Sequence, residues 1–263
     1  MQDPAILILA GRRSDLPDAL AAVSGVSHKC LVPIAGQAMI SRVIATAANA
    51  FPDAKLFVSI EDFSILKGEA VIARFVAAGR LIPVPAEQQI VDSILNGIEA
   101  AGFPLIITTA DNVLLSVDAL QALADEGAKA NADAVVALAR REDVVAAHAD
   151  GQRRFYEFSD TAISNCNLYW LGNAQAVRAA ETFRGGGQFA KHPGRIVKAF
   201  GLVNLIRFRF RLATLEQSFA NISRRFKVRV KPMLVSDGRL AIDVDNDRTR
   251  GIVEEIFARE AAA

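Results

Sequence analysis

Residues able to grip a polyphosphate gather near the start of the chain. The apolar run Ile6-Leu7-Ile8-Leu9-Ala10 breaks at Gly11-Arg12-Arg13-Ser14, and eighteen residues after that glycine stands Lys29, within His28-Lys29-Cys30-Leu31-Val32-Pro33-Ile34-Ala35-Gly36. Backbone N–H groups at a strand-to-loop turn point at anionic oxygens, and basic side chains neutralise what the amides leave uncompensated. A nucleotide-binding enzyme is the function this implies. Gly11 taken alone is also explained by a strand ending in a turn.

Such a site needs a frame that brings distant loops together. Short apolar runs at Ala5 to Ala10, Lys55 to Ile60, Leu81 to Pro85, Leu105 to Thr109 and Ala134 to Ala139 read as strands, and Met39 to Ala50, Phe63 to Ala78, Gln89 to Ala101 and Val117 to Ala130 carry apolar residues at helical spacing. Strand, helix, strand repeated in this way implies right-handed crossovers and an α/β fold with a mostly parallel, mixed central sheet flanked by helices. Ligands of such sheets bind beyond the carboxyl ends of the strands. The Gly11 loop and the turn Thr108-Thr109-Ala110-Asp111-Asn112 both fall at such ends.

After residue 150 the rhythm changes. A strand is expected at Asn165 to Leu171, a helix at Ala174 to Phe183, strands at Lys227 to Lys231 and Leu240 to Val244, and a closing helix at Thr249 to Arg259. One domain, 1–263, is expected. Its parts are a nucleotide-binding half (1–150), a basic acceptor-binding elaboration (151–240), and a carboxylate-bearing strand end with the closing helix (241–263).

Composition narrows the class. Of 263 residues 52% are hydrophobic, enough for a large core. The two cysteines, Cys30 and Cys166, lack zinc-site spacing, which fits a reducing cytoplasm. No charged leader opens the chain, and no apolar stretch reaches the roughly 18 residues of a membrane span. A soluble or peripheral cytoplasmic protein is expected, without a nucleic-acid partner. The oligomeric state is unreadable.

Net charge is only +1, yet Arg178 to Lys231 holds thirteen Lys and Arg against two acids. Lys191-His192-Pro193-Gly194-Arg195 is placed to hold an acceptor phosphate. The mixed apolar and basic stretch within 191–212 has two readings. It lies against an anionic membrane, at the inner face, or it buries an apolar face while its long cations reach solvent.

Taken in order, the motifs L-I-L-A-G, K-x-L-V-P-I-x-G-x-x-M-I, T-T-A-D-N, an asparagine-bearing strand and I-D-V-D-N-D resemble the nucleotidyltransferases related to molybdenum cofactor guanylyltransferase. That resemblance implies a Rossmann-like, glycosyltransferase-A type fold and transfer of a nucleoside monophosphate from an NTP to an acceptor phosphate; GTP is the nucleotide of the relative, and the charge of the basic segment adds CTP and a sugar, polyol or lipid-precursor phosphate as acceptor. Pyrophosphate is released. It also implies that Leu9, Ala10, Gly11 and Arg12 surround the triphosphate, that Lys29 and Arg13 neutralise charge developing on the α-phosphate, and that Mg²⁺ is the cofactor, held by Asp111, Asp243 and Asp245. Gln88, Gln89 and Ser93 would read the base and Asn165 would touch the acceptor, though a polar pair opening a strand equally reads as a turn; Lys191 joins the acceptor side from the basic segment, not from the resemblance. The family's loop has a second glycine where Arg12 stands and a third that is missing, so this loop is bulkier and more cationic.

Other readings stay open. Asp111 could cap a helix starting near Ser116, and Asp243, Asp245 and Asp247 could form a solvated acidic turn before the last helix. The alternatives for the whole chain are a molybdenum cofactor guanylyl- or cytidylyltransferase, a glycosyltransferase using Asp243-Val244-Asp245, and a non-catalytic nucleotide-binding protein. No G-x-G-x-x-G follows the first strand, which disfavours a dehydrogenase.

Overall fold

In the computed structural model, which describes residues 3–12, 18–178 and 211–262, eight strands form one mixed sheet. Four parallel neighbours make one half, in the spatial order β5 (Leu81–Pro85), β4 (Leu56–Ile60), β1 (Ala5–Leu9) and β6 (Leu105–Thr109). The other half holds β7 (Ala134–Arg140) beside the parallel edge strand β10 (Val230–Val235). Between the halves runs β9 (Ala162–Leu171), antiparallel to both β6 and β7, with the short β8 (Tyr156–Glu157) paired to it. A separate two-stranded hairpin joins β2 (Pro33–Ile34) to β3 (Gln37–Ala38).

The central strands are apolar on both faces because helices cover both. Ile6, Ile8, Leu56, Val58 and Ile106 enter one core with α2 (Met39–Ala50), α5 (Val117–Lys129) and α8 (Asp247–Ala262). Leu7, Phe57, Leu105 and Ile107 alternate onto the opposite face, against Ile94 and Ile98 of α4 (Ile90–Ala101). Fully burying each such side chain contributes roughly 1.5–3 kcal/mol, which fixes the register of the strands whose ends carry the site. Smaller helices are α1 (Ala19–Val23), α3 (Ala70–Ala77), α6 (Arg141–Ala147) and α7 (Leu215–Phe226). The last of these opens on a capping box between Thr214 and Gln217.

Three local expectations are corrected. The stretch Phe63 to Ala78 is not one helix: Asp62 caps a 3-10 turn at Phe63–Leu66, and α3 starts only after Gly68. Lys227 adopts a left-handed backbone that ends α7, so the strand expected at Lys227 to Lys231 begins later, at Val230. Leu240 to Val244 is no strand. Gly238–Ala241 is a 3-10 turn, and residues 242–245 beyond it belong to no strand. A methyl at Gly238 would lie 2.2 Å from the Asp143 carbonyl, so only glycine lets this turn sit on α6. Arg13, Lys191, residues 191–210 of the basic stretch, and the end of the helix expected at Ala174 to Phe183 lie outside the described residues. Described cations of the basic stretch include Arg211, paired with Glu157, and Arg229, paired with Asp133 at 2.8 Å. Among the described residues no helix is long and apolar enough to cross a membrane.

Candidate functional site

Lys29 is held by the chain on either side of it. It opens a 3-10 turn, Lys29–Leu31, and the hairpin that follows turns at Ala35 and Gly36, both with positive φ. Arg42 of α2 donates to the carbonyls of Ile34 (2.9 Å) and Ala35 (3.0 Å), tying that hairpin to the helix. Cys30, Val32 and Ile34 are buried in the core. The Lys29 side chain, partly exposed, reaches across the mouth of the sheet.

What it reaches is a group of carboxylates. Its Nζ lies 2.6 Å from Asp111 Oδ2, at the carboxyl end of β6, and 2.8 Å from Asp245 Oδ1. Burial would lower the Lys29 pKa, but the two carboxylates outweigh it and raise it above the ordinary lysine value. This lysine is therefore a fixed cation at neutral pH, not a proton acceptor. Burial opposes ionisation of Asp111 as well, and Lys29 overcomes it, holding that carboxyl below its ordinary range.

The C-terminal segment docks beside β6 through its backbone: the Val244 N–H donates to the Asp111 carbonyl at 3.1 Å. Thr249 Oγ1 accepts from the N–H groups of Asp245 (2.8 Å) and Asn246 (3.1 Å) at the start of α8. Asp243 and Asp245 thus belong to an anchored tight turn, in which the Asp245 N–H donates to the Asp243 carbonyl at 3.1 Å, rather than to a strand. Asp243 Oδ2 accepts from Asn167 at 2.5 Å. Burial, reinforced by the charges of Asp111 and Asp245, pushes the Asp243 carboxyl well above its ordinary value.

The phosphate loop has an unforeseen partner. Glu61, just beyond β4, accepts from the Arg12 N–H (3.1 Å) and from Arg12 Nε (2.6 Å). His28 Nε2 lies 3.2 Å from the same carboxylate, off the hydrogen-bond direction. A methyl on Gly11 would come within 2.5 Å of Ala86 Cβ, beyond β5, so close packing by itself demands this glycine. Gly11→Ala should therefore cost about 1–3 kcal/mol of stability through overpacking. The double variant with Ala86→Gly should recover it, as thermal denaturation of the two singles and the double will show; a double that melts with the Gly11 single would refute the packing account.

A cleft of about 460 Å³ is lined by Leu9, Ala10, Gly11 and Arg12 together with Lys29, Asp111 and Asp245. The structure thus brings most of the expected phosphate and carboxylate residues to one place. Cys30 also lines it, but burial pushes its thiol up to about 12, so it is no nucleophile at neutral pH. From the loop expected to read the base, Ile90 lines the cleft. Gln88 and Gln89 are exposed, whereas Ser93 is buried and its Oγ accepts from the Glu87 N–H at 2.7 Å. Ser93 braces the loop instead of facing a ligand. The Asn165 amide donates to Asn167 Oδ1 (3.0 Å) and Tyr169 Oη (2.5 Å), so both its hydrogens are engaged within β9. Asp111 does not cap α5, since Ser116 Oγ accepts from the Ala119 N–H there.

Sequence reading missed Glu61, Asn112 and Asn167. Asn112, fully buried, donates to the Cys166 carbonyl at 2.9 Å and links the end of β6 to β9. Its position directly after Asp111 was the one available signal.

The donor chemistry suits a hard divalent cation. Asp111 Oδ1 and Asp243 Oδ1 are both buried without a hydrogen-bond partner, and the Lys29 ammonium pairs with Asp111 and Asp245 but not with Asp243. Among the described residues no cluster of three or more His, Cys, Asp or Glu has metal-holding geometry. Asp245, two-thirds exposed, is turned onto Lys29. Two carboxylate oxygens completed by phosphate and water oxygens are what Mg²⁺ accepts.

The profile of the MobA-like NTP transferase domain matches residues 6–182. No curated protein matches the chain. Among solved structures, a hypothetical transferase from Thermus thermophilus is 19% identical with a TM-score of 0.77, covering 95% of this chain and 100% of that one. CMP:2-keto-3-deoxy-manno-octonic acid synthetase, solved with CTP, is 12% identical at 0.59, covering 98% and 100%. The 4-diphosphocytidyl-2C-methyl-D-erythritol synthase of Anaerococcus prevotii is 9% identical at 0.56, covering 97% and 99%. At these identities the likeness is one of fold, the glycosyltransferase-A-like arrangement of a mixed, mostly parallel sheet between helices.

Proposed function

This chain belongs to the MobA-like NTP transferase family, and from that premise we propose that it transfers a nucleoside monophosphate from an NTP to a phosphorylated small-molecule acceptor, releasing pyrophosphate. The observation that carries the reading is the Lys29 ammonium, fixed between Asp111 and Asp245 in the cleft that Leu9 to Arg12 enclose. CTP is the first nucleotide to test, because two of the similar structures are named for cytidine nucleotides; GTP is the second. The acceptor is a sugar, polyol or lipid-precursor phosphate.

In this reading an acceptor phosphate oxygen attacks the α-phosphorus in line, a new P–O–P linkage forms, and the bond to the β-phosphate breaks with its electrons leaving on pyrophosphate. The acceptor is already anionic, so no general base is needed. Lys29 and the Arg12–Arg13 loop neutralise charge that builds on the phosphates. Asp111 and Asp243 would hold Mg²⁺, which supplies Lewis-acid neutralisation of phosphate oxygens. The core-anchored segments around Lys29 and Asp111 keep these groups aimed before substrate arrives, so little reorganisation is left for the reaction itself.

Pyrophosphate release should be measured with CTP or GTP against a panel of sugar, polyol and prenol-type phosphates in Mg²⁺. Release that needs nucleotide and acceptor together is the expected result. Nucleotide turnover without any acceptor, or binding with no turnover across the panel, would overturn the assignment.

A further inference from the structure

One asparagine does more than its place in a strand requires. Between the pairs Val136↔Tyr169 and Leu138↔Asn165 the β7–β9 register shifts, so Cys166, Asn167 and Leu168 together face only Ala137. Asn167 sits at the middle of this bulge with φ 46°, a left-handed backbone that asparagine tolerates better than most residues. Its amide Nδ2 donates to Asp243 Oδ2 at 2.5 Å, and Asp243 Oδ1 is left buried without a partner.

The bulge is secured from both sides. Asn112, next to Asp111, donates to the Cys166 carbonyl at 2.9 Å. Asn165 binds Asn167 twice, donating to its Oδ1 (3.0 Å) and accepting from its backbone N–H (3.3 Å), and also donates to Tyr169 Oη. Position of one carboxylate is therefore tied to that of the other through Asn112, the bulge and Asn167.

Resting on the carboxylate site of the proposed function, we infer that Asn167 is a positioning residue: from a left-handed bulge in β9 its amide holds one oxygen of Asp243 and leaves the other for a divalent cation. A neutral donor is the group this task needs. It fixes the direction of the carboxylate without neutralising it, whereas a second ammonium would compete with the cation for its charge. Lys29 already plays that competing part at Asp111 and Asp245. Outer partners that orient metal-binding carboxylates typically change metal affinity about 10- to 100-fold when removed.

Two substitutions separate orientation from folding. Asn167→Gly keeps the left-handed backbone and deletes the amide; Asn167→Asp keeps the shape and replaces the donor with an acceptor. Binding of Mn²⁺ alone is followed by the loss of its free-ion electron paramagnetic resonance signal, with Asp243→Ala alongside. The expected result is Mn²⁺ affinity about 10- to 100-fold weaker in both Asn167 variants, near-wild-type far-UV circular dichroism, and turnover restored by excess Mn²⁺ without a change in the KM for the nucleotide. If Asp243→Ala loses Mn²⁺ and both Asn167 variants bind it as the wild type does, the inference is overturned while the carboxylate reading stands. If Asp243→Ala binds Mn²⁺ as the wild type does, the carboxylate site itself fails and the inference falls with it.

Discussion

Lys29→Met should lower pyrophosphate release about 10²- to 10³-fold, the scale for removing one preorganised electrostatic donor from a transition state. The lysine is charged over the whole range in which the protein would be assayed, because Asp111 and Asp245 raise its pKa against the effect of burial. Loss of activity therefore reports loss of a fixed cation rather than of a titrating group, and because burial then raises the Asp111 carboxyl that Lys29 had held down, the acid limb of the residual rate should move to higher pH. Lys29→Arg should recover little, since a planar fork cannot place one ammonium between Asp111 Oδ2 at 2.6 Å and Asp245 Oδ1 at 2.8 Å.

Stability provides an internal control on the same variant. Removing one partner of a buried ion pair costs about 3–5 kcal/mol because the other charge is left uncompensated. Here the Lys29 and Asp111 side chains are 24% and 21% exposed, which places the loss at or below the low end of that range. The exposed Asp245 adds little. Mg²⁺ should raise the melting temperature of Lys29→Met more than that of the wild type, since a divalent cation can replace the ammonium against Asp111. Turnover should not return with it. A variant that turns over at the wild-type rate would remove Lys29 from the chemistry.

Some of this site could be read directly from residue order, and the reason is burial. The edge strand Leu81–Pro85 stands where its short apolar run places it, although Pro83 and Pro85 are exposed; strand Leu105–Thr109 and helix Met39–Ala50 stand where they were read because a central strand covered on both sides must be apolar along most of its length and a covered helix must carry a stripe. Asp111 was visible as the polar residue that follows such a strand. Asn167 and Glu61 were not. Their partners lie 76 and 49 residues away in sequence, and the sheet order that brings them together is a property of the whole chain. Leu240 to Val244 misled for a related reason: Leu240, Ala241, Ile242 and Val244 are all buried, and an apolar run looks the same whether a strand or a wedge of turn fills the core. The wedge shows only in the hydrogen bonds, where Val244 pairs with Asp111 and no ladder follows.

Asp243→Asn should raise stability while lowering turnover at least about 10²-fold, as expected when a preorganised charge at the reacting phosphates is lost. The substitution keeps shape and still accepts from Asn167, but it removes a negative charge that burial and Asp111 both disfavour. It also converts the unpartnered Oδ1 into a donor beside Asp111. Relieving a strained functional group in this way commonly yields about 0.5–2 kcal/mol, or roughly 2–4 °C for each kcal/mol in a chain of this size. The sign with pH follows from the raised pKa. A carboxyl raised on folding contributes stability that is fully present below its ordinary value and is lost as pH rises through the folded value. Asp111, held below its ordinary value by Lys29, has the opposite sense: its contribution is present above that value and is lost as pH falls through the folded one. The variant's advantage should therefore vanish at acid pH and grow toward neutrality. Mg²⁺ should close the gap by stabilising the wild type through binding to the folded state alone. Melting curves across pH, with and without Mg²⁺, measure all of this, and a variant that melts below the wild type at neutral pH without Mg²⁺ would show that Asp243 is stabilised where it lies rather than kept there for its charge.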